Sequence, residues 1–120
     1  MNHADNSAED KVFDAVAELF SVLSTPIRLK IISAVCHHER TVSQLLDEIP
    51  TTQPNMSQHL ATLYRSGVLS KRRVGTQMVY SLRSERVAML CRAVCTQVAI
   101  ELSSDKGVPA SERLVPVTPD

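Results

Sequence analysis

The sequence predicts a mainly helical domain that carries one β-hairpin, and three observations carry that expectation. Apolar residues recur at helical spacing through most of the chain, the period switches to two only between residues 69 and 82, and hydroxyl residues stand just ahead of the helical stripes. The order that results is helix, helix, helix, helix, hairpin, helix.

Each element has its own signal. Residues 10–24 place Phe13, Val16, Leu19, Phe20 and Leu23 on one helical stripe. Thr25 caps a second helix with Pro26 at its first position, where the missing N–H costs nothing, and Ile27, Ile31 and Val35 make its buried side up to about His38. Thr41-Val42-Ser43-Gln44 is a capping box: the hydroxyl can reach the amide three residues on while the glutamine reaches back. A short helix follows to about Ile49, where Pro50 stops it. Thr51 or Thr52 opens the next helix, which runs to Arg65 and ends at Gly67, a left-handed terminator. Residues 69–74 and 77–82 alternate around Gly75-Thr76 as a hairpin whose first strand holds Lys71, Arg72 and Arg73. Ser84 caps the last helix, 85–102, with Val87, Leu90, Cys91, Val94, Cys95, Val98 and Leu102 on its stripe. Residues 1–9 read as a flexible N-terminus, 10–102 as one domain, and 103–120, with three prolines and no period, as a flexible tail.

With 120 residues and a formal net charge of zero, the chain has room for a core without metal or disulfide staples. The charge is segregated: residues 51–83 hold five bases and no acid, whereas residues 1–50 hold eight acids and four bases. A basic face on a neutral protein is the footprint of phosphate binding. Phe13, Phe20, Tyr64 and Tyr80 are the only aromatics, too few for the stacking platforms that hold single strands. With no run of about 18 apolar residues and no leader pattern, the expectation is a cytoplasmic protein with reduced thiols and no membrane partner.

Two short helices joined by a tight turn and followed by a basic hairpin make a winged helix-turn-helix: the second helix fits the major groove while the hairpin's cations meet phosphates. With Met56, Leu60 and Leu63 on the core stripe, the opposite face centres on Gln58 and Arg65, flanked by Asn55, Ser57, Ala61 and Thr62. Thr52 and Gln53 at the helix start, and Lys71, Arg72, Arg73 and Gly75 in the wing, complete the expected interface. His59 falls at the apolar edge and reads as a partly buried structural histidine.

The segments "LSTPIRLKIISAV" (23–35), "TVSQLL" (41–46), "TTQPNMSQHLATLYRSGVL" (51–69) and "RRVGTQMVYSL" (72–82) together resemble the ArsR/SmtB family of bacterial repressors. The resemblance implies a homodimer joined through the first and last helices, a partly palindromic operator in double-stranded DNA, and an inducer that lowers DNA affinity. It carries over Gln53, Asn55, Ser57 and Gln58 as recognition-helix contacts, with Arg72, Arg73 and the Gly75 tip from the wing.

The sensing residues depart from the family's metal-binding branches. One branch opens the helix before the turn with a cysteine in an E-L-C-V motif, but here the stretch is Glu39-Arg40-Thr41-Val42. Another uses aspartate and histidine pairs on the last helix, and residues 85–102 contain neither. What remains is Cys36 at the end of the second helix, with Cys91 and Cys95 on the last. Residues four apart on a helix have Cβ atoms about 5–6 Å apart, whereas a relaxed disulfide wants about 3.5–4.5 Å. A bridging atom between the Cys91 and Cys95 sulfurs suits the spacing better, either a soft ion such as trivalent arsenic or a polysulfide link. The resemblance adds a second arrangement, because reactive-sulfur sensors of the family pair a cysteine on the second helix with one on the last. Cys36, Cys91 and Cys95 are thus the candidate sensing thiols and the candidate ligands of a thiophilic ion, with no resident cofactor required. The competing reading is an architectural DNA-binding protein without effector, its cysteines packed as small hydrophobes. No nucleophile, base and orienter set is present for an enzyme; neighbouring Cys36 and His37 point apart on a helix.

Overall fold

The computed structural model describes residues 7–104. Its elements are α1 (Ala8–Val22), α2 (Pro26–His37), β1 (Arg40–Thr41), α3 (Val42–Glu48), α4 (Gln53–Arg65), β2 (Leu69–Val74), β3 (Gln77–Leu82) and α5 (Glu85–Ser104). Each helix starts under a hydroxyl. Ser7, Thr25, Thr41, Thr52 and Ser84 accept the backbone N–H of Asp10, Arg28, Gln44, Asn55 and Val87 at 3.1–3.3 Å, satisfying donors that a helix start leaves orphaned. At Thr41 the box is closed, since the backbone N–H of Thr41 donates to Gln44 Oε1 at 2.9 Å.

The end of α4 is equally specific. Gly67, at φ 82, lets the Gly67 N–H reach the Tyr64 carbonyl at 3.1 Å and the Val68 N–H reach the Leu63 carbonyl at 3.0 Å. That pair of bonds is a Schellman motif, sealed by contact between buried Leu63 and Val68. The chain then enters the hairpin, in register from Leu69 opposite Leu82 to Val74 opposite Gln77. Gly75 takes φ 65 while Thr76 keeps an ordinary φ, the pattern of a II′ turn matched to strand twist.

The helix order and the hairpin bounds are as expected, with four differences. Arg40 and Thr41 pair with Tyr80 and Val79, so the hairpin belongs to a three-stranded sheet of order β1-β3-β2. Two residues are too few for a strand period to show in sequence. At the N-terminus α1 starts at Ala8 and stops at Val22, because Ser7 supplies a cap; α5 continues through Ser103 and Ser104, whose hydroxyls donate to the Ile100 carbonyl. Residues 1–6 and 105–120 of the expected flexible ends lie outside the described residues. Lastly, α5 is by length and mean composition apolar enough to cross a membrane, although it holds no uninterrupted apolar run, being broken by Arg92 and Gln97.

The core gathers Ile31, Ile32 and Val35 from α2, Leu45 from α3 with Ile49 at its C-cap, Met56, Leu60 and Leu63 from α4, and Val68, Leu69 and Tyr80 from the sheet side. Val87 and Ala88 dock α5 onto it. The stripe expected on α1 is largely uncovered: Leu23, just past its end, is buried, but Phe13 is 64% and Phe20 54% exposed. Met89, Val94, Ile100 and Leu102 of α5 are likewise exposed.

Replacing Thr41 with alanine removes one half of the capping box. The expected result is a loss of about 1 kcal/mol, read as a lower urea midpoint at unchanged slope; no shift would show that the cap is redundant with β1 pairing.

Candidate nucleic-acid interface and thiol cleft

Complete burial of Met56 and Leu63, with Leu60 at 1% exposure, turns the other side of α4 outward. Thr52, Gln53, Ser57, Gln58 and Arg65 are exposed there. Asn55 and Thr62, also expected on this face, are half-buried on its flanks. Asn55 Nδ2 donates to Thr51 Oγ1 at 2.8 Å, so its amide already serves the helix start. Gln53 and Ser57 do more than face outward. With Ser43 of α3 and Thr76 and Gln77 at the wing tip, they line a cleft of about 230 Å³. Ser43, Thr76 and Gln77 stood in the sequence only as capping-box, turn and strand residues; their shared polarity acquires meaning only when helix and wing meet.

The wing's three cations, adjacent in sequence, have different surroundings because a strand's side chains alternate between its faces. Lys71 Nζ stands 4.3 Å from the centre of the Tyr64 ring, a cation–π contact tying the wing to the end of α4. Arg72 Nη2 pairs with Glu39 Oε1 at 2.6 Å. Arg73 is exposed and forms no ion pair among the described residues.

A second site lies between α2 and α5. A cleft of about 250 Å³ is lined by all three cysteines, with Leu29 and Ile32 among its apolar lining and His37 and Arg92 among its polar lining. All three thiols are free: Cys36 and Cys91 half-buried, Cys95 exposed. Burial first, then the neighbouring Cys95 and Cys36 sulfurs, push the Cys91 thiol above its ordinary range, so it stays protonated at neutral pH. Across the cleft Arg92 Nη2 lies 3.9 Å from Cys36 Sγ. The expectation that Cys36, Cys91 and Cys95 ligate a metal is narrowed here. Among the described residues no group of three or more His, Cys, Asp or Glu side chains is placed to hold one. The backbone places Cys36 on a different helix from the other two, and a shared cleft is not a closed ligand set.

The family model described as "Bacterial regulatory protein, arsR family" matches residues 25–71. The HTH-type transcriptional regulator Rv0081 of Mycobacterium tuberculosis is 33% identical over 98 residues, covering 81% of this chain and 85% of its own. The chain belongs to the ArsR family. The crystal structure of Rv0081 matches with a TM-score of 0.68 over 81% of this chain and 97% of that one. The transcriptional repressor BigR from Xylella fastidiosa matches with a TM-score of 0.69 at 33% identity, over 80% of this chain and 95% of its own. A homodimeric winged helix-turn-helix DNA-binding domain from Mycobacterium bovis, solved in solution, matches at 0.70 and 27% identity over 89% and 99%. The protein is therefore a DNA-binding transcriptional regulator of the ArsR/SmtB type, with α3 and α4 as its helix-turn-helix and the hairpin as its wing.

In this ArsR-family domain the recognition helix has a polar anchor that the sequence did not single out as a pair. Arg28 Nε donates to His59 Nδ1 at 3.1 Å while Arg28 Nη1 donates to the Val22 carbonyl at 2.7 Å. One guanidinium thus joins the end of α1, the start of α2 and the middle of α4. Burial, then the Arg28 charge, push the His59 imidazole below its ordinary value of 6.5, so the folded ring stays neutral and accepting. As pH falls through that ordinary value the unfolded chain takes up a proton that the folded chain resists, and stability declines. His59→Gln keeps an acceptor for Arg28 but cannot titrate. Its stability is expected to fall less than wild type between about pH 7 and pH 5, measured as urea midpoints; parallel declines would show that His59 is not the group responsible.

Proposed function

We propose that this protein is a homodimeric transcriptional repressor that holds operator DNA through α4 and the wing. It leaves that DNA when the thiols of the α2–α5 cleft bind or react with an inducer, a reactive sulfur species or a soft metalloid such as arsenite. The observation that carries the sensing half is the convergence of Cys36, Cys91 and Cys95 on one cleft, at the junction of two helices. A purely structural role for the cysteines requires no such convergence.

The chemistry fits a bridge between two thiols better than a closed metal site. Arsenous acid gives up two hydroxyls as water, taking the two thiol protons, and forms two As–S bonds without redox change. The dimer reading is supported by the uncovered apolar residues of α1 and α5, which a second copy would remove from water, and by the homodimeric relative. On this reading domain and dimer surface are one unit, with the cleft close to the subunit interface.

On the DNA side, Thr52, Gln53, Asn55, Ser57, Gln58, Thr62 and Arg65 approach the major groove and Lys71, Arg72, Arg73 and Gly75 the flanking backbone. Gln58→Ala is expected to lower discrimination between the duplex selected from a randomised pool and random DNA by about 1–3 kcal/mol. Replacing Arg72 and Arg73 together should weaken both duplexes and flatten the dependence on salt. Equal loss from both changes would place the wrong face against the bases.

Addition of stoichiometric arsenite or sodium tetrasulfide is expected to release the selected duplex from wild type but not from a chain with Cys36, Cys91 and Cys95 all replaced by serine, read by fluorescence anisotropy. If neither reagent changes wild-type binding, and the substitutions alter only stability, the protein binds DNA without this effector.

A further inference from the structure

We infer that the thiol cleft is selective for anionic reagents: Arg92 draws a negatively charged sulfane-sulfur donor, a low-molecular-weight persulfide or hydropolysulfide, onto Cys36. This rests on the reading of the cleft as a sensor and names the class of reagent it takes. Three observations meet here. The Arg92 guanidinium of α5 sits 3.9 Å from the Cys36 sulfur of α2, 56 residues away in sequence. Among the described residues no carboxylate lines the cleft, and Arg92 is the one permanent charge there. Arg92 takes no part in the two ion pairs formed among the described residues, which join Arg40 to Glu48 and Arg72 to Glu39.

A guanidinium is charged at every physiological pH, and at 3.9 Å from the Cys36 sulfur it attracts an anion to the point of attack. It also raises the local concentration of anions at a mouth otherwise lined by apolar carbon, sulfur, hydroxyl groups and the His37 imidazole. Within the cleft the roles separate. Cys91, held protonated by burial and by its two sulfur neighbours, is a poor first nucleophile, whereas Cys36 has the cation.

The step transfers one sulfur. The Cys36 thiolate attacks the terminal sulfur of R–S–S–H; the donor's S–S bond breaks and RS⁻ leaves with the bonding pair. A new S–S bond converts Cys36 to its persulfide, which keeps the donor's proton, and RS⁻ takes a proton from water. No external oxidant enters. The donor's remaining charge, from a carboxylate or a second sulfur, is what Arg92 selects. Arsenous acid is uncharged near neutral pH and gains nothing from it.

The test compares wild type, Arg92→Gln and Arg92→Lys as full chains. Mass spectrometry follows modification of Cys36 by glutathione persulfide and by the matched alkylators iodoacetate, an anion, and iodoacetamide, which is neutral. Arg92→Gln is expected to slow persulfidation roughly five- to tenfold, the scale of one exposed charge near contact distance. It should also lower the iodoacetate to iodoacetamide rate ratio several-fold, while Arg92→Lys retains most of both. Salt near 1 M should bring wild type down to the Gln variant.

Equal slowing of both alkylators would mean that Arg92 acts only on the thiolate fraction and would overturn anion selection, as would unchanged rates. Arg92 is exposed, so loss of the fold does not confound the variants, and the lysine variant checks this independently. If the persulfide releases DNA from wild type and variant at the same rate, sensing stands and the role of Arg92 fails. If it modifies Cys36 selectively yet never releases DNA, anion selection stands and the sensing reading fails.

Discussion

The burial of one face of α4 is the constraint on which the other features depend. Met56, Leu60 and Leu63 insert into a core supplied by α2, α3 and the sheet, and three fully covered positions on a helix leave no freedom in its rotation. The polar face must then point outward. The same stripe positions the wing, because Leu63 and Val68 close the Schellman motif from which β2 emerges. Lys71 over Tyr64 adds a second tie between wing and helix, and Arg28 through His59 fixes the helix from the α2 side. Helix α4 and the wing are thus tied together through shared contacts.

The thiol cleft shares α2 with that core. Val35 is buried in the core while the next residue, Cys36, lines the cleft. The chain then passes through residues 37–39 into β1, which pairs with β3, and Thr41 of that strand caps α3. Within five residues of Cys36 the backbone has contributed to the sheet that bears the wing and to the first helix of the helix-turn-helix. Chemistry that moves the end of α2 acts on elements bonded directly to both halves of the DNA-facing surface.

How much of this was legible in sequence follows from the range of the forces involved. Caps, the glycine terminator and the hairpin are local, fixed by residues at most a few positions apart. Thr25, Thr41, Gly67 and Gly75 therefore announced them, and the hairpin bounds agree residue for residue. The outward face of α4 was legible as well, since it follows from periodicity once the apolar stripe is seen. Contacts between distant residues were not. Arg28 with His59 and Arg72 with Glu39 each join residues more than thirty positions apart, and polar pairs leave no periodic trace. The cysteines were visible individually, but their convergence depends on how α5 crosses α2. The stripes of α1 and α5 were legible as patterns, but among the described residues no contact within the single chain fully covers them.

The Arg72–Glu39 pair alters what the wing contributes when it meets DNA. A solvated cation docking on a phosphate displaces condensed counterions, and their release is the source of the salt dependence of binding. Arg72 already has a protein counter-anion, Glu39, anchored in the turn between α2 and β1 rather than free to diffuse away. Its transfer to a phosphate is an exchange of one anion for another, favourable only by the difference, and it leaves Glu39 as an unpaired negative charge beside the duplex. On the proposed reading the wing arginine therefore exchanges partners, Glu39 for a phosphate, and Glu39 is there to receive it again when DNA departs.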